Sequence, residues 1–87
     1  MHESGLIHGL VHRVEAAARD AGARHVSSID VWLGAFSQMS PEHFREHFDA
    51  EARGTVAEGA SLNLEVSDDP AAPDAFSVVL RSVELKV

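Results

Sequence analysis

The chain has 87 residues, 45% hydrophobic and 24% charged, a composition typical of a single small globular domain. Its formal net charge of −7 would repel a phosphate backbone, and no basic stripe offsets that charge, so we expect no nucleic-acid binding. Cysteine is absent, which excludes disulfides, thiolate metal sites and a cysteine nucleophile. Neither a signal-peptide pattern nor an apolar run near the roughly 20 residues of a membrane span occurs, so we expect a cytoplasmic protein without membrane contact.

The first third of the chain predicts a helix followed by a strand. Apolar residues at three- and four-residue spacing indicate a helix from about 4 to 21, with Ser4 as its N-cap and Gly22 as its C-cap. From His25 to Phe36 the period changes to two, which predicts a strand. Gly34 indicates a bulge or a close backbone approach. The core face of this strand carries three aliphatic residues, Ile29, Val31 and Leu33.

A second helix is predicted from Ser40-Pro41-Glu42, where a capping serine precedes a proline at the first helical position. Phe44 and Phe48 lie four residues apart as its buried side, and it ends near Arg53-Gly54. Two strands follow, each recognised by alternating apolar residues. The first has Leu62, Leu64 and Val66, and the second has Val79, Val83, Leu85 and Val87.

Residues 67–75 separate the last two strands and contain two prolines and three aspartates, which cannot continue either strand. A short connection of this kind would most simply join the two strands as an antiparallel hairpin. The elements together predict an α/β fold of the two-layer, α+β-like kind. We expect one domain over residues 1–87, with two helices packed on a three-stranded mixed sheet in the order α-β-α-β-β.

Met1-His2-Glu3 is a candidate metal site. The Met1 amine, the His2 amide nitrogen and the His2 imidazole can close fused rings around one ion, and the Glu3 amide can add a further nitrogen. Nitrogen ligands in a plane favour nickel(II) or copper(II) over zinc, and acid should release the metal because protons compete for the ligands. In the alternative interpretation, His2 is simply the second residue of a frayed terminus.

The remaining histidines are weaker candidates. His8 and His12 lie four residues apart, as do His43 and His47, so each pair shares one helix face. Neither pair has a third ligand in the sequence, and solvated helix faces explain both. His8, one turn into the first helix, is a candidate accessory ligand for the terminal site. Trp32 alternates away from the apolar face of its strand, so it either packs under a helix or lies exposed as a partner contact.

Four segments resemble the hydrogenase nickel-incorporation family HypA/HybF. These are residues 1–3, 33–37 and 80–85, together with the longest segment, Phe48–Glu65, which includes Arg53-Gly54-Thr55-Val56-Ala57-Glu58-Gly59-Ala60. The segments occur in the order that the family has. Members of the family usually carry a zinc module with two CxxC pairs between the last two strands. This chain has the short 67–75 loop at that position, so the resemblance implies no structural zinc here.

The resemblance implies that Met1, His2 and Glu3 bind nickel. Glu58, within the longest matching segment, either orients the terminus through a hydrogen bond or is simply a turn residue before Gly59. The resemblance also implies delivery of Ni(II) to a [NiFe]-hydrogenase large subunit together with a nickel-binding GTPase, or to urease. Two alternatives stay open: a metal-independent docking or scaffolding domain, and a metal-responsive regulator. No nucleophile elbow or phosphate loop occurs, so we expect no enzyme. An exposed edge strand leaves a homodimer open.

Overall fold

The computed structural model describes the backbone of residues 3–86 and the side chains of residues 5–86. Five elements follow one another: α1 Glu3–Asp20, β1 His25–Leu33, α2 Pro41–Ala52, β2 Ser61–Val66 and β3 Val78–Lys86. The predicted class and element order are confirmed. The predictions for Met1, His2, the Glu3 side chain and Val87 lie outside the described residues. Between residues 3 and 86, no helix is long and apolar enough to cross a membrane.

Both ends of α1 can be compared with the sequence. Helical backbone is present from Glu3, so Ser4 lies inside the helix and its predicted role as N-cap is wrong. The C-terminal end follows the prediction, because Gly22 has a φ of 69°, the left-handed conformation that a C-capping glycine adopts at no steric cost. The Ala23 amide then donates to the Ala18 carbonyl at 2.9 Å, which satisfies a carbonyl of the last turn.

The start of α2 is capped as predicted. The Ser40 hydroxyl accepts a hydrogen bond from the His43 amide at 3.4 Å, and Pro41 begins the helix. This hydroxyl in turn donates to the Glu42 carboxylate at 2.7 Å. The bond lowers the pKa of Glu42 and holds a negative charge beside the positive end of the helix dipole.

The sheet has the strand order β2-β1-β3, with β1 parallel to β2 and antiparallel to β3. The predicted hairpin between β2 and β3 is therefore wrong, since β1 lies between them. The connection from β2 to β3 passes over the end of β1, where the Ser67 amide donates to the Leu33 carbonyl and the Gly34 amide donates to the Ser77 carbonyl. The most buried strand thereby takes the centre, and both neighbours pair with it.

The alternation of β3 is interrupted by a bulge. Ser82 pairs with Asp30 but Leu80 pairs with Val31, so Arg81 is an extra residue opposite them. The bulge reverses which side chains face the helices in the first part of the strand. The β3 residues packed against the core are Val78, Leu80, Val83 and Leu85. The prediction that Val79 shares the face of Val83 is consequently wrong.

One hydrophobic core lies between the helices and the sheet. Its largest fully buried side chains are Phe44, Phe48, Ile7, Ile29, Leu33, Val14 and Val31. Each such side chain contributes roughly 1.5–3 kcal/mol by leaving water. α1, β1, α2 and β2 each supply at least one buried residue to this core, and β3 packs partly buried residues against it.

Gly34 confirms the predicted close backbone approach at the end of β1. A Cβ atom built at this position would lie 2.5 Å from the Asp74 carbonyl oxygen and would also meet the Ala75 carbonyl. Both obstacles are backbone atoms, which cannot rotate away. The connection between β2 and β3 therefore depends on a residue without a side chain at position 34.

We expect Gly34→Ala to lower the free energy of unfolding by about 2 kcal/mol or more, because the added methyl group forces two backbone segments apart. Urea denaturation followed by circular dichroism measures this loss. Gly9→Ala is the matched control, since nothing lies within 4 Å of a Cβ there. In a helix interior that control should stabilise by up to about 1 kcal/mol. A Gly34→Ala protein as stable as the wild type would contradict the account of this contact.

Candidate functional site

A histidine and a carboxylate connect the two helices at their exposed edge. His8 Nδ1 lies 2.9 Å from Glu51 Oε2, so the second turn of α1 contacts the last turn of α2. The His8 side chain is 59% exposed and that of Glu51 is 35% exposed. An ion pair this accessible contributes little to stability, at most about 1 kcal/mol. The contact between His8 and Glu51 therefore matters for the chemistry of this surface more than for the stability of the fold.

The paired histidines contact each other along their helices. The rings of His8 and His12 have centroids 4.5 Å apart, and those of His43 and His47 are 6.4 Å apart. We use the name helix seam for His8, His12 and Glu51. Among the described side chains, no three histidine, aspartate or glutamate groups are close enough to hold a metal ion. The seam is therefore not a complete metal site by itself.

Glu51 is the residue of the seam that the sequence did not reveal. It lies four residues after His47 and eight after His43, so the three residues share one face of α2. This spacing was the only available signal. The contact with His8 depends on how α1 packs against α2, which residue spacing within one helix does not determine.

Glu58, predicted to orient the terminus, lies exposed in the loop after α2. This loop is tied to the start of β1, where the Val26 amide donates to the Val56 carbonyl at 3.0 Å. Within residues 5–86 its carboxylate makes no hydrogen bond or ion pair. The carboxylate that faces His8 is that of Glu51, and a role for Glu58 stays a prediction.

The first turns of α1 lie beside the start of β3. Gly5, Leu6 and Gly9 line a shallow groove together with Val78, the residue of β3 that pairs with Leu33. The two glycines leave this side of the helix open, since no atom lies within 4 Å of a Cβ at either position. The beginning of α1 is thus accessible from the side of the sheet where β1 ends.

Trp32 neither packs under a helix nor lies exposed, so it fits neither of the predicted alternatives. Its side chain is 7% exposed, and it is not part of the core beneath the helices. The Arg81 guanidinium covers the ring, with Cζ 5.4 Å from the ring centroid. The bulge in β3 thus places a cation over the indole, and Trp32 is not an exposed partner contact.

Asp30 connects the three strands on the sheet face that the helices leave open. The Ser82 hydroxyl donates to its Oδ2 at 2.5 Å, and the Asn63 amide donates to its Oδ1 at 2.8 Å. The bond from Ser82, and after it the bond from Asn63, lower the pKa of Asp30. Both carboxylate oxygens have partners within the sheet, so we interpret this cluster as structural.

Ser82→Ala should raise the pKa of Asp30 towards its ordinary value, because the larger of the two stabilising hydrogen bonds is lost. Carbon-detected NMR titration of the aspartate carboxyls measures the shift. A lowered pKa contributes stability above the ordinary pKa of aspartate, about 3.9, and this contribution is lost as the pH falls through the folded-state pKa.

The difference in unfolding free energy between the wild type and Ser82→Ala should accordingly shrink as the pH falls below about 4. Ser28→Ala is the control, because Ser28 lies on the same strand as Asp30 and its hydroxyl has no partner among residues 5–86. An Asp30 titration identical in the wild type and in Ser82→Ala would refute the assignment.

Comparison with protein families gives a match over most of the chain. The model described as hydrogenase/urease nickel incorporation, metallochaperone, hypA matches residues 1–72. The hydrogenase maturation factor HypA of Chlorobium limicola is 40% identical over 65 residues, which are 75% of this chain and 56% of that protein. The HypA 2 protein of Bradyrhizobium diazoefficiens is 35% identical over 86 residues, 99% of this chain and 74% of that protein. The chain thus spans little more than half the length of the Chlorobium relative.

Solved structures show the same fold. The solution structure of the Ni metallochaperone HypA from Helicobacter pylori superposes with a TM-score of 0.83 at 20% identity, covering 99% of this chain and 98% of that one. A second solution structure of a HypA protein has a TM-score of 0.76 at 21% identity, with 98% and 96% covered. At this identity the likeness concerns the fold alone.

Proposed function

Because the chain belongs to the HypA family of nickel-incorporation metallochaperones, we propose that it binds one Ni(II) ion at Met1-His2-Glu3 and delivers it to a nickel enzyme under assembly. The match to the family model includes these three residues, since it begins at residue 1. Nickel is the cargo in this proposal and leaves with each delivery. A ligand set at a chain terminus suits such exchange better than a cage inside the core.

The start of α1 supports the use of backbone nitrogen as a ligand. Helical backbone is present from Glu3, and the first amides of a helix have no carbonyl partner within it. The Glu3 amide can therefore lose its proton to a metal without breaking a helical hydrogen bond. The helix dipole opposes a cation at this end, and deprotonated amides offset that repulsion because they bring negative charge.

The contact between His8 and Glu51 supports His8 as an accessory ligand. When Nδ1 carries the proton that is donated to the Glu51 carboxylate, Nε2 keeps its lone pair for a metal. A carboxylate that holds the far nitrogen of a ligating histidine fixes the ring and raises its basicity. In this proposal Glu51 orients His8, whereas the role that the family resemblance suggested for Glu58 concerns the terminus.

The recipient that we propose is the large subunit of a [NiFe]-hydrogenase, with a nickel-binding GTPase as donor or co-carrier and with urease as a second possible recipient. The support is the family description and the maturation-factor names of the relatives. We place this exchange in the cytoplasm. Copper would compete for the same nitrogen ligands, so metal availability and the partner must supply selectivity.

Zinc is not part of the proposal. With no cysteine in the chain, no CxxC pair can form, and the loop that contains residues 67–75 connects β2 directly to β3. We propose that this loop stands where longer relatives carry their zinc module. The chain then works as a single nickel-binding domain of 87 residues.

His2→Ala should abolish nickel binding measured by calorimetry on the untagged protein, because the imidazole and its chelate ring are lost. One glycine added before Met1 should weaken binding comparably, since it moves the amine away from His2. His25→Ala is the control: it removes an exposed histidine at the start of β1 and should bind nickel as the wild type does. Equal affinity in all four proteins would eliminate the terminal site.

Glu51→Gln should weaken nickel binding by up to about tenfold, because losing a carboxylate behind a ligating histidine costs 10- to 100-fold in buried sites and this one is partly exposed. His8→Ala should weaken it at least as much. Glu46→Gln, which removes an exposed carboxylate of the same helix, is the control for net charge. If Glu51→Gln and Glu46→Gln bind nickel alike, His8 is not oriented by Glu51.

A metal-independent docking domain is the alternative function. It is favoured by the exposed aromatic pair of Phe36 and Phe76, whose ring centroids are 5.2 Å apart. The two functions differ in their dependence on His2. A docking domain would support hydrogenase maturation equally well as wild type and as His2→Ala, whereas a carrier would lose that activity.

A further inference from the structure

Two phenylalanines are exposed side by side where β1 ends. Phe36 is 46% exposed and Phe76 is 79% exposed, yet their ring centroids are only 5.2 Å apart. Aromatic rings on a water-facing surface are costly unless something covers them, and aromatic residues are enriched at the centres of protein interfaces.

The backbone holds this aromatic pair in place. The Phe36 amide donates to the Ala75 carbonyl at 2.6 Å, and the Gly34 amide donates to the Ser77 carbonyl at 2.9 Å. Ala75 is itself buried, at 3% exposure. Both phenylalanines therefore extend from segments bonded to each other, so the surface is present before any partner arrives and needs little ordering on binding.

The segment that connects β2 to Phe76 is acidic and apolar in composition. The connecting segment contains Pro70, Pro73 and three alanines, together with Asp68, Asp69 and Asp74. No lysine or arginine occurs between residues 54 and 80. Asp69 is engaged locally, because its carboxylate accepts from the Ala71 amide at 2.9 Å, and Asp68 and Asp74 form no ion pair within residues 5–86.

We propose that Phe36 and Phe76, with the acidic rim of Asp68 and Asp74, form a docking surface for a partner protein. The partner presents an apolar recess bordered by lysine or arginine side chains. Opposite charges around an apolar centre favour fast and specific association. This inference rests on the proposed delivery function, in which the partner is the protein that receives or supplies nickel.

A second copy of the chain does not fit this chemistry. Two copies meeting at the surface would bring their acidic rims together, and each carries a net charge of −7. Like charges placed opposite each other disfavour the contact. Sedimentation of the free protein should therefore give the same mass for the wild type and for Phe76→Ser.

The test measures binding of the purified hydrogenase large-subunit precursor and of the purified nickel GTPase, each in turn, by surface plasmon resonance. Phe76→Ser should weaken binding of at least one of them about tenfold or more, as expected of an interface centre. Asp68→Asn with Asp74→Asn should weaken the same binding, mainly at low salt. Asp20→Asn with Asp49→Asn removes the same two charges from the helices and should bind like the wild type.

Three outcomes would overturn the inference: neither protein binds the wild type, Phe76→Ser binds as tightly as the wild type, or a dimer appears that Phe76→Ser abolishes. The double aspartate variant keeps both rings, so it tests the surface even where Phe76→Ser alters the loop. Nickel titration of Phe76→Ser separates this inference from the proposed function. Unchanged nickel binding with lost docking supports the surface, whereas a wild type that binds no nickel refutes the proposed function alone.

Discussion

The pairing of β1 with a strand on each side is the constraint on which the rest of the structure depends. β1 supplies fully buried Ile29, Val31 and Leu33 to the core. It forms hydrogen bonds with β2 along one edge and with β3 along the other. Because β2 runs parallel to β1, a helix must return the chain between them, and α2 does so. The connection from β2 to β3 must then cross the end of β1, which requires the open space at Gly34.

Much of this fold could be predicted from local patterns. The periods of three to four and of two identified all five elements, and Gly22 and Ser40 marked a helix end and a helix start. The strand order could not be read in the same way, because a short loop between two strands is compatible with a hairpin and with a crossing over a third strand. The bulge at Arg81 could not be predicted either. A single extra residue changes which β3 side chains face the core, but it leaves the composition of the strand unchanged.

The candidate site likewise has one part that local sequence predicts and one part that depends on tertiary packing. Met1-His2-Glu3 could be proposed from the sequence because its candidate ligands are consecutive residues, and it stays a prediction; the family match includes these positions. The relation of His8 to Glu51 joins residues 43 positions apart, so it depends on helix packing and could not be read from spacing. The family resemblance suggested Glu58 as a residue that orients the terminus, which stays a prediction, and the fold brings a different carboxylate, that of Glu51, to His8.

The two proposed functions use different residues: the proposed nickel ligands are Met1-His2-Glu3, and the aromatic pair lies in the loops beyond β1 and before β3. The most direct test of the central claim is a ¹⁵N NMR titration of the untagged protein with one equivalent of Ni(II). The account predicts signal changes confined to the first turns of α1 and the last turn of α2. Changes centred on His43 or on the connection between β2 and β3, with the first turns of α1 unaffected, would contradict it.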